Sequence, residues 1–341
     1  MNNLENVRIA LIGCGGIARQ HVIRYHAHPN AEIVALQDVS EEQIDRMDAR
    51  LKSENSVDIL GGIPRFSDAA ELYRVAKPDA VSICTPHTLH YEHCCAALEA
   101  GCHVLVEKPM VTSSAQAADL EQRVEKSGKI LQVAYITPSK ATCRRLREIC
   151  AGKEYGRLQV VNCTISQFWY APTKGTWRHD PALSGGGMAY DSGAHVFNTL
   201  IWTVDQPVAE VHAFLDNLDA AVDINGTINV RFVDGTLACV AVCGEAPSGS
   251  TGVWNFEQAS VYLDPWQAKE IRVVAVQDGK AQEVDSRLTR TDSCAQDNFV
   301  DSLTGKDEPV TAPRNGVLQS QLMDAIYASA ESGQSIKIDQ G

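Results

Sequence analysis

Over residues 1–137, short apolar runs alternate with amphipathic stretches of helical period. The runs fall at 7–12, 31–38, 80–84, 103–107 and 130–135, with a strandlet at Arg65-Phe66. Continuous apolar runs of this length suit strands buried on both faces. The stretches between them, near 17–26, 40–52, 67–75, 90–100 and 112–126, read as helices. Pro29, Gly101 and the Lys77-Pro78-Asp79 turn supply stops between elements. Ser67 is placed to cap the third helix. Strands and helices in this alternation predict a doubly wound parallel sheet.

Over 138–341 the pattern changes. A basic helix at 141–150 precedes a stretch at 158–169 that alternates apolar and polar positions, as a half-buried strand does. Further strands are expected at 208–214, 226–232, 236–243, 259–263 and 271–276, with Asp234-Gly235 as a hairpin turn. Few helices intervene before one at 315–333 and a last strand at 335–338. This half therefore predicts a second domain on a largely antiparallel sheet.

The chain has 341 residues, enough for two cores. Its net charge of -13 opposes association with nucleic acid or anionic membranes. No apolar run approaches the roughly 20 residues that span a bilayer. The start, Met1-Asn-Asn-Leu-Glu-Asn6, lacks a basic segment followed by an apolar one. The eleven cysteines are scattered, with no C-x-x-C pair. Reduced thiols in a cytoplasmic protein are the expectation. His87, His90 and His93 recur three apart beside Cys94, but no second cluster completes a set of ligands, so no metal is expected.

The first strand runs into Gly13-Cys-Gly15-Gly16-Ile17-Ala18, which has the form of a dinucleotide-binding turn with Ala18 in the third small position. Gly13 permits the turn out of the strand, and Gly15 lets the backbone approach a pyrophosphate. Ala18 lets the helix pack close, and the helix start offers unpaired N–H groups to phosphate oxygens. Asp38 ends the second strand about 20 residues on, where such folds hold the adenosine ribose hydroxyls. A carboxylate there repels a 2′-phosphate, and neither Val39 nor Ser40 supplies a cation. NAD is therefore favoured over NADP.

Four features follow in fixed order: the glycine turn, Asp38, Thr85-Pro86-x-x-x-His90 and Glu107-Lys108-Pro109. Gly185-Gly186-Gly187-Met-Ala-Tyr-Asp191-Ser-Gly193-Ala-His195 comes later, shortly after Trp177-Arg178. Together they resemble the Gfo/Idh/MocA family of nicotinamide-dependent oxidoreductases, over nearly the whole chain. The resemblance implies a Rossmann domain followed by an α+β domain whose open sheet face forms a homodimer or homotetramer. It implies that Thr85, Pro86, His87, His90, Glu107 and Lys108 join Gly13, Gly15, Gly16, Ile17, Ala18 and Asp38 around the cofactor. It assigns catalysis to Lys108, Asp191 and His195. One departure is Tyr135-Ile-Thr-Pro-Ser-Lys140, where the family often carries a basic, aromatic-containing segment.

Hydride transfer from an alcohol needs a base for the hydroxyl proton and a group that stabilises the developing alkoxide. Asp191 and His195 are four apart, so one helical turn would put them on one face. Histidine titrates near neutral pH, as a base requires. Lys108 leaves the end of a parallel strand, where ligands bind in such sheets. Either Lys108 or His195 takes the proton on this reading. The triple glycine lets backbone and substrate approach closely. Trp177, Arg178, Trp169 and Tyr170 are candidates for the wall of a sugar site. The expected activity is oxidation of a secondary hydroxyl on a sugar, glycoside or cyclic polyol. A glycoside hydrolase or lyase that recycles NAD, and a non-catalytic nucleotide sensor, are the competing classes.

Overall fold

A computed structural model describes residues 4–55 and 58–339; the Met1–Asn3 start, read above for a leader, lies outside them. The chain forms two compact units. The first comprises residues Met1–Val111, Ala115–Ala134 and Cys294–Arg314. The second comprises Thr112–Ser114, Tyr135–Ser293 and Asn315–Gly341.

The first stretch of chain runs β1 (Val7–Ile12), α1 (Ala18–Ala27), β2 (Ala31–Gln37), α2 (Glu41–Asn55), β3 (Arg65–Phe66) and α3 (Ala69–Ala76). It continues β4 (Ala80–Ile83), α4 (His90–Glu99), β5 (His103–Val106), α5 (Ser114–Ser127) and β6 (Leu131–Val133). The six strands lie in the order β3-β2-β1-β4-β5-β6, and all their pairings are parallel. The order reverses between β1 and β4, which opens the ligand crevice at the carboxyl ends of those strands. Val7, Ile9, Leu11 and Leu36 are fully buried, as continuous apolar strands predict. Helix α3 is capped by Asp68, which accepts the Glu71 amide at 2.7 Å, and not by Ser67. The Asp68 carboxylate is the better acceptor at a helix start.

The rest of the chain runs α6 (Ala141–Gly152), β7 (Leu158–Phe168), α7 (Tyr170–Thr173), α8 (Pro181–Ser184), α9 (Gly193–Val204), β8 (Val208–Asp216), β9 (Asn225–Phe232) and β10 (Leu237–Cys243). It ends with β11 (Glu245–Phe256), β12 (Ala259–Leu263), β13 (Ile271–Gln277), β14 (Lys280–Val284), α10 (Ala295–Leu303), α11 (Pro313–Ser332) and β15 (Ile336–Lys337). Helix α10 returns to the first unit, where Phe299 and Val300 pack with Val7, Ile9, Tyr25 and Leu105.

The second unit is built on a nine-stranded sheet, β14-β13-β12-β11-β7-β10-β9-β8-β15. Only β7 and β10 pair in parallel; the other pairings are antiparallel. Gly235, at φ +88, closes the β9–β10 hairpin as expected. One sheet face, with Val161, Cys163, Val240, Ile228 and Trp254, packs against α6, α9 and α11. Helix α9 is buried all round, which its apolar composition requires. The other face carries the cross-strand row Phe214, Thr227, Ala241, Thr164 and Thr251. Phe214 is exposed on it. Strands β11 and β14 were not expected, because the first carries Pro247, Gly249 and three serines or threonines and the second is charged.

Candidate functional site

The glycine turn is held by its neighbours on both sides. Gly13 has φ +84, and an added Cβ would stand 2.9 Å from Thr85 Cγ2 and 3.0 Å from the Cys84 carbonyl. Its glycine is therefore required by the protein itself. Gly15 and Gly16 differ: an added Cβ there meets nothing within 4 Å. The space beside them is open, as a cradle for a phosphate group requires. Helix α1 begins next to it with no side-chain cap and no acidic residue in its first turn. Its first amides are thus suited to an anion. Ala18 is fully buried, and Ile17 is largely exposed.

Asp38 ties β2 to this turn. Its Oδ2 accepts the Cys14 amide at 2.7 Å and its Oδ1 accepts the Ser40 amide at 2.9 Å. Each carboxylate oxygen retains lone-pair capacity for a further donor, such as a ribose hydroxyl. Thr85 Oγ1, at the end of β4, is buried without a hydrogen-bond partner among the described residues. These features fit a dinucleotide. The thiols here are not nucleophiles: burial, with help from Asp38, pushes Cys14 up to about 12. Burial drives Cys84 well above the thiol range.

The Glu107-Lys108-Pro109 turn follows β5, with a cis peptide between Lys108 and Pro109. His90 was expected to line the cofactor crevice, yet it is fully buried. Its Nδ1 lies 2.7 Å from the Pro109 carbonyl oxygen and its Nε2 lies 2.9 Å from that of Thr85. Its ring therefore links two turns. Burial lowers its pKa, opposed by the two carbonyls. His87 is buried edge-on to His90, with ring centroids 5.9 Å apart. Glu107 places Oε1 2.8 Å from His21 Nε2, inside the unit. His21 was not singled out from sequence. The signal was present: Ala18, His21, Val22 and Tyr25 form the buried face of α1, and a polar residue there needs partners.

In the second unit, Asp191 and His195 do not share one helical turn as expected. The α9 helix starts at Gly193, so Asp191 lies in the turn before it while His195 is in its first turn. Asp191 Oδ2 accepts from Trp169 Nε1 at 2.7 Å and from Arg178 Nε at 2.8 Å. Trp169 is buried, so it positions the carboxylate and is not an exposed sugar wall. Its ring stacks on His179, centroids 5.1 Å apart, and Thr173 Oγ1 holds His179 Nε2 at 2.9 Å. The Arg178 guanidinium lies over the Trp177 ring at 4.6 Å. His195 is buried with its ring edge-on to Tyr135, the residue that opens the departing segment, at 6.0 Å.

The triple glycine is packed closely against the protein itself. A Cβ on Gly187 would collide with the Asp223 backbone, and one on Gly185, at φ +75, would stand 2.7 Å from Thr112 Cγ2. Asp223, unforeseen from sequence, is the buried anchor of this turn. It accepts the Gly187 amide at 2.7 Å, the Ala189 amide at 2.8 Å and the Tyr327 hydroxyl at 2.5 Å. Such a carboxylate fixes the backbone that leads into Asp191.

Lys108 thus belongs to the first unit, and Trp177, Arg178, Asp191 and His195 belong to the second. Among the described residues, no three His, Cys, Asp or Glu side chains gather to hold a metal. No described helix is long and apolar enough to cross a membrane.

Comparison with known proteins gives matches along the chain. Residues 7–135 match the oxidoreductase family model with an NAD-binding Rossmann fold. Residues 143–263 match the GFO/IDH/MocA C-terminal domain model. The D-glucoside 3-dehydrogenase of Escherichia coli (strain K12) is 25% identical over 369 residues, with 97% of each chain covered. The 1,5-anhydro-D-fructose reductase of Ensifer adhaerens is 24% identical, covering 98% of this chain and 99% of the relative. The WlbA dehydrogenase of Bordetella pertussis, solved with NADH and UDP-GlcNAcA, superposes with a TM-score of 0.83 at 23% identity over 100% of both chains. At that identity the likeness shows the fold.

Proposed function

Because the chain belongs to the Gfo/Idh/MocA family of NAD(P)-dependent oxidoreductases, we propose that it uses NAD to oxidise a secondary hydroxyl of a sugar, glycoside or cyclic polyol. The observation that carries the cofactor choice is the Asp38 carboxylate, bonded to the Cys14 amide beside the glycine turn. A 2′-phosphate next to it would meet like charge with no cation supplied by Val39 or Ser40. The substrate class rests on full-length relatives named for sugars, and on Asp191, whose doubly held oxygen suits hydroxyl recognition.

Gly13, Gly15, Gly16, Ile17, Ala18, Asp38 and Thr85 are the residues assigned to hold the dinucleotide. The bound nicotinamide supplies the hydride acceptor. Lys108 is assigned to hold the reacting oxygen and offset its developing charge. Asp191 is assigned to accept a substrate hydroxyl, and His195 to take or relay its proton. Arg178 and Trp177 are assigned to the substrate side of that carboxylate. The uncovered sheet face, with Phe214 exposed, is assigned to a homodimer or homotetramer interface.

The test is a panel of sugars, glycosides and polyols incubated with NAD or NADP, with nucleotide reduction and product both followed. Accumulating NADH is the expected result. Product release without net reduction would instead make the protein an NAD-recycling hydrolase or lyase. Preference for NADP would overturn the Asp38 argument.

A further inference from the structure

Four side chains beneath the Glu107–Lys108 turn form a buried chain of hydrogen bonds that no step above uses. Tyr25 donates its hydroxyl to Ser82 Oγ at 3.2 Å. Ser82 Oγ lies 2.6 Å from His21 Nδ1, and His21 Nε2 lies 2.8 Å from Glu107 Oε1. Tyr25, Ser82 and His21 are fully buried, and Glu107 is 9% exposed.

The donors in this chain have one consistent direction. Glu107 as a carboxylate only accepts, so His21 Nε2 carries the proton. Burial pushes the Tyr25 phenol well above its ordinary range, so Tyr25 remains a donor. Ser82 Oγ takes that proton as acceptor, and its own proton is left for His21 Nδ1. Every group is then satisfied with one histidine tautomer.

The chain ends at the lysine. Glu107 Oε2 accepts the Lys108 amide at 3.2 Å. On the far side the Pro109 carbonyl lies 2.7 Å from His90 Nδ1. The residues on both sides of Lys108, Glu107 and Pro109, are thus each in contact with a buried histidine. His21 also sits on α1, the helix that opens at the glycine turn. One ring therefore links the cofactor helix to the lysine turn through β4.

We propose that His21 is a positioning residue for Lys108, acting by holding the Glu107 carboxylate through Nε2–H. This rests on the assignment of Lys108 to catalysis. It identifies a role for the histidine of α1 and for Glu107 other than contact with the dinucleotide. Loss of the His21 donor removes the hydrogen bond to Glu107 Oε1, so the carboxylate and the turn that carries the lysine are held less tightly.

The test has a spectroscopic arm and a kinetic arm. Long-range proton–nitrogen NMR of the histidine rings reads the tautomer in the unmodified protein. A His21 ring protonated on Nε2, with that nitrogen shifting in Glu107→Gln, is expected. Protonation on Nδ1, or no shift in Glu107→Gln, would overturn the proposal. In the kinetic arm, His21→Leu lowers kcat by about tenfold to hundredfold, the range for losing one hydrogen bond to a charged group. The KM for NAD stays within about threefold, since the phosphate cradle is untouched. His21→Gln, whose amide can donate to Glu107, recovers most of kcat; equal losses in both variants would reduce His21 to a packing role. Lys108→Ala is run alongside. Normal turnover there, with the His21 signal intact, would overturn the catalytic assignment of Lys108 and not the His21–Glu107 pair.

Discussion

Trp169 donates its indole N–H to Asp191 Oδ2 over 2.7 Å, the same oxygen that Arg178 Nε reaches at 2.8 Å. Two donors on one oxygen fix the plane of the carboxylate, as its proposed role of accepting a substrate hydroxyl requires. Trp169→Phe keeps a ring against His179 but removes the N–H. The expected loss in kcat/KM is about tenfold to hundredfold, with the melting temperature lowered by only a few degrees. Steady-state kinetics beside thermal melting check this. Full activity in the variant would end the assignment of Asp191 to substrate recognition.

The glycines divide by what stands next to them, which predicts opposite outcomes for the same change. Gly187→Ala drives a Cβ into the Asp223 backbone and must shift the turn, so a loss of about 3 kcal/mol or more in unfolding free energy is expected. Gly15→Ala meets no protein atom within 4 Å, so its stability should match the parent chain. Its NAD affinity should fall about tenfold or more, because the methyl occupies the phosphate approach. Denaturant unfolding and calorimetric titration with NAD separate the two. Unchanged NAD binding by Gly15→Ala would remove the cradle argument.

Strands, helices and the two classes of sheet were legible because their signal is local periodicity. Residues 259–263 and 65–66 even keep their expected bounds. Strand β11 was not legible, since its Gly, Ser and Pro positions read as loop; Pro247 falls where the pairing with β7 shifts register between Glu245 and Gly249, and β12 joins only from Gly252. The geometry of the candidate site was legible where it follows local spacing, as in the left-handed Gly13 at the end of β1 and the helix start at Ala18. It was not legible at Asp223, whose partners Gly187 and Tyr327 are far away in sequence. Nor was it legible at Trp169, because an aromatic near an arginine reads equally as a sugar wall or a carboxylate holder.

Asp38 sits between stability and selectivity. It caps the Cys14 and Ser40 amides at 2.7 and 2.9 Å, so Asp38→Ala would leave both without their acceptor. The pair Asp38→Ser with Val39→Arg keeps a hydroxyl acceptor and brings a cation to a position that is now 88% exposed. The ratio of kcat/KM for NADP over NAD is expected to rise about a hundredfold. An unchanged ratio would show that the ribose lies elsewhere.

His103 on β5 links acid sensitivity to the sheet that carries Lys108. Its Nδ1 accepts the Ile130 amide at 3.0 Å, which only an unprotonated nitrogen can do. Burial, reinforced by the Lys129 charge and opposed by Asp79, lowers its pKa from 6.5 to about 4. A depressed folded value means that the unfolded chain takes up the proton first. The stabilisation is therefore complete above the unfolded value of 6.5, declines as pH falls, and is lost once pH passes the folded value of about 4. His90, lowered by burial, adds to the same slope. Urea unfolding midpoints measured above about pH 7 and near about pH 5 should show the loss, and His103→Gln should flatten it. A variant with the full acid dependence of the parent chain would place the responsible group elsewhere in the sheet.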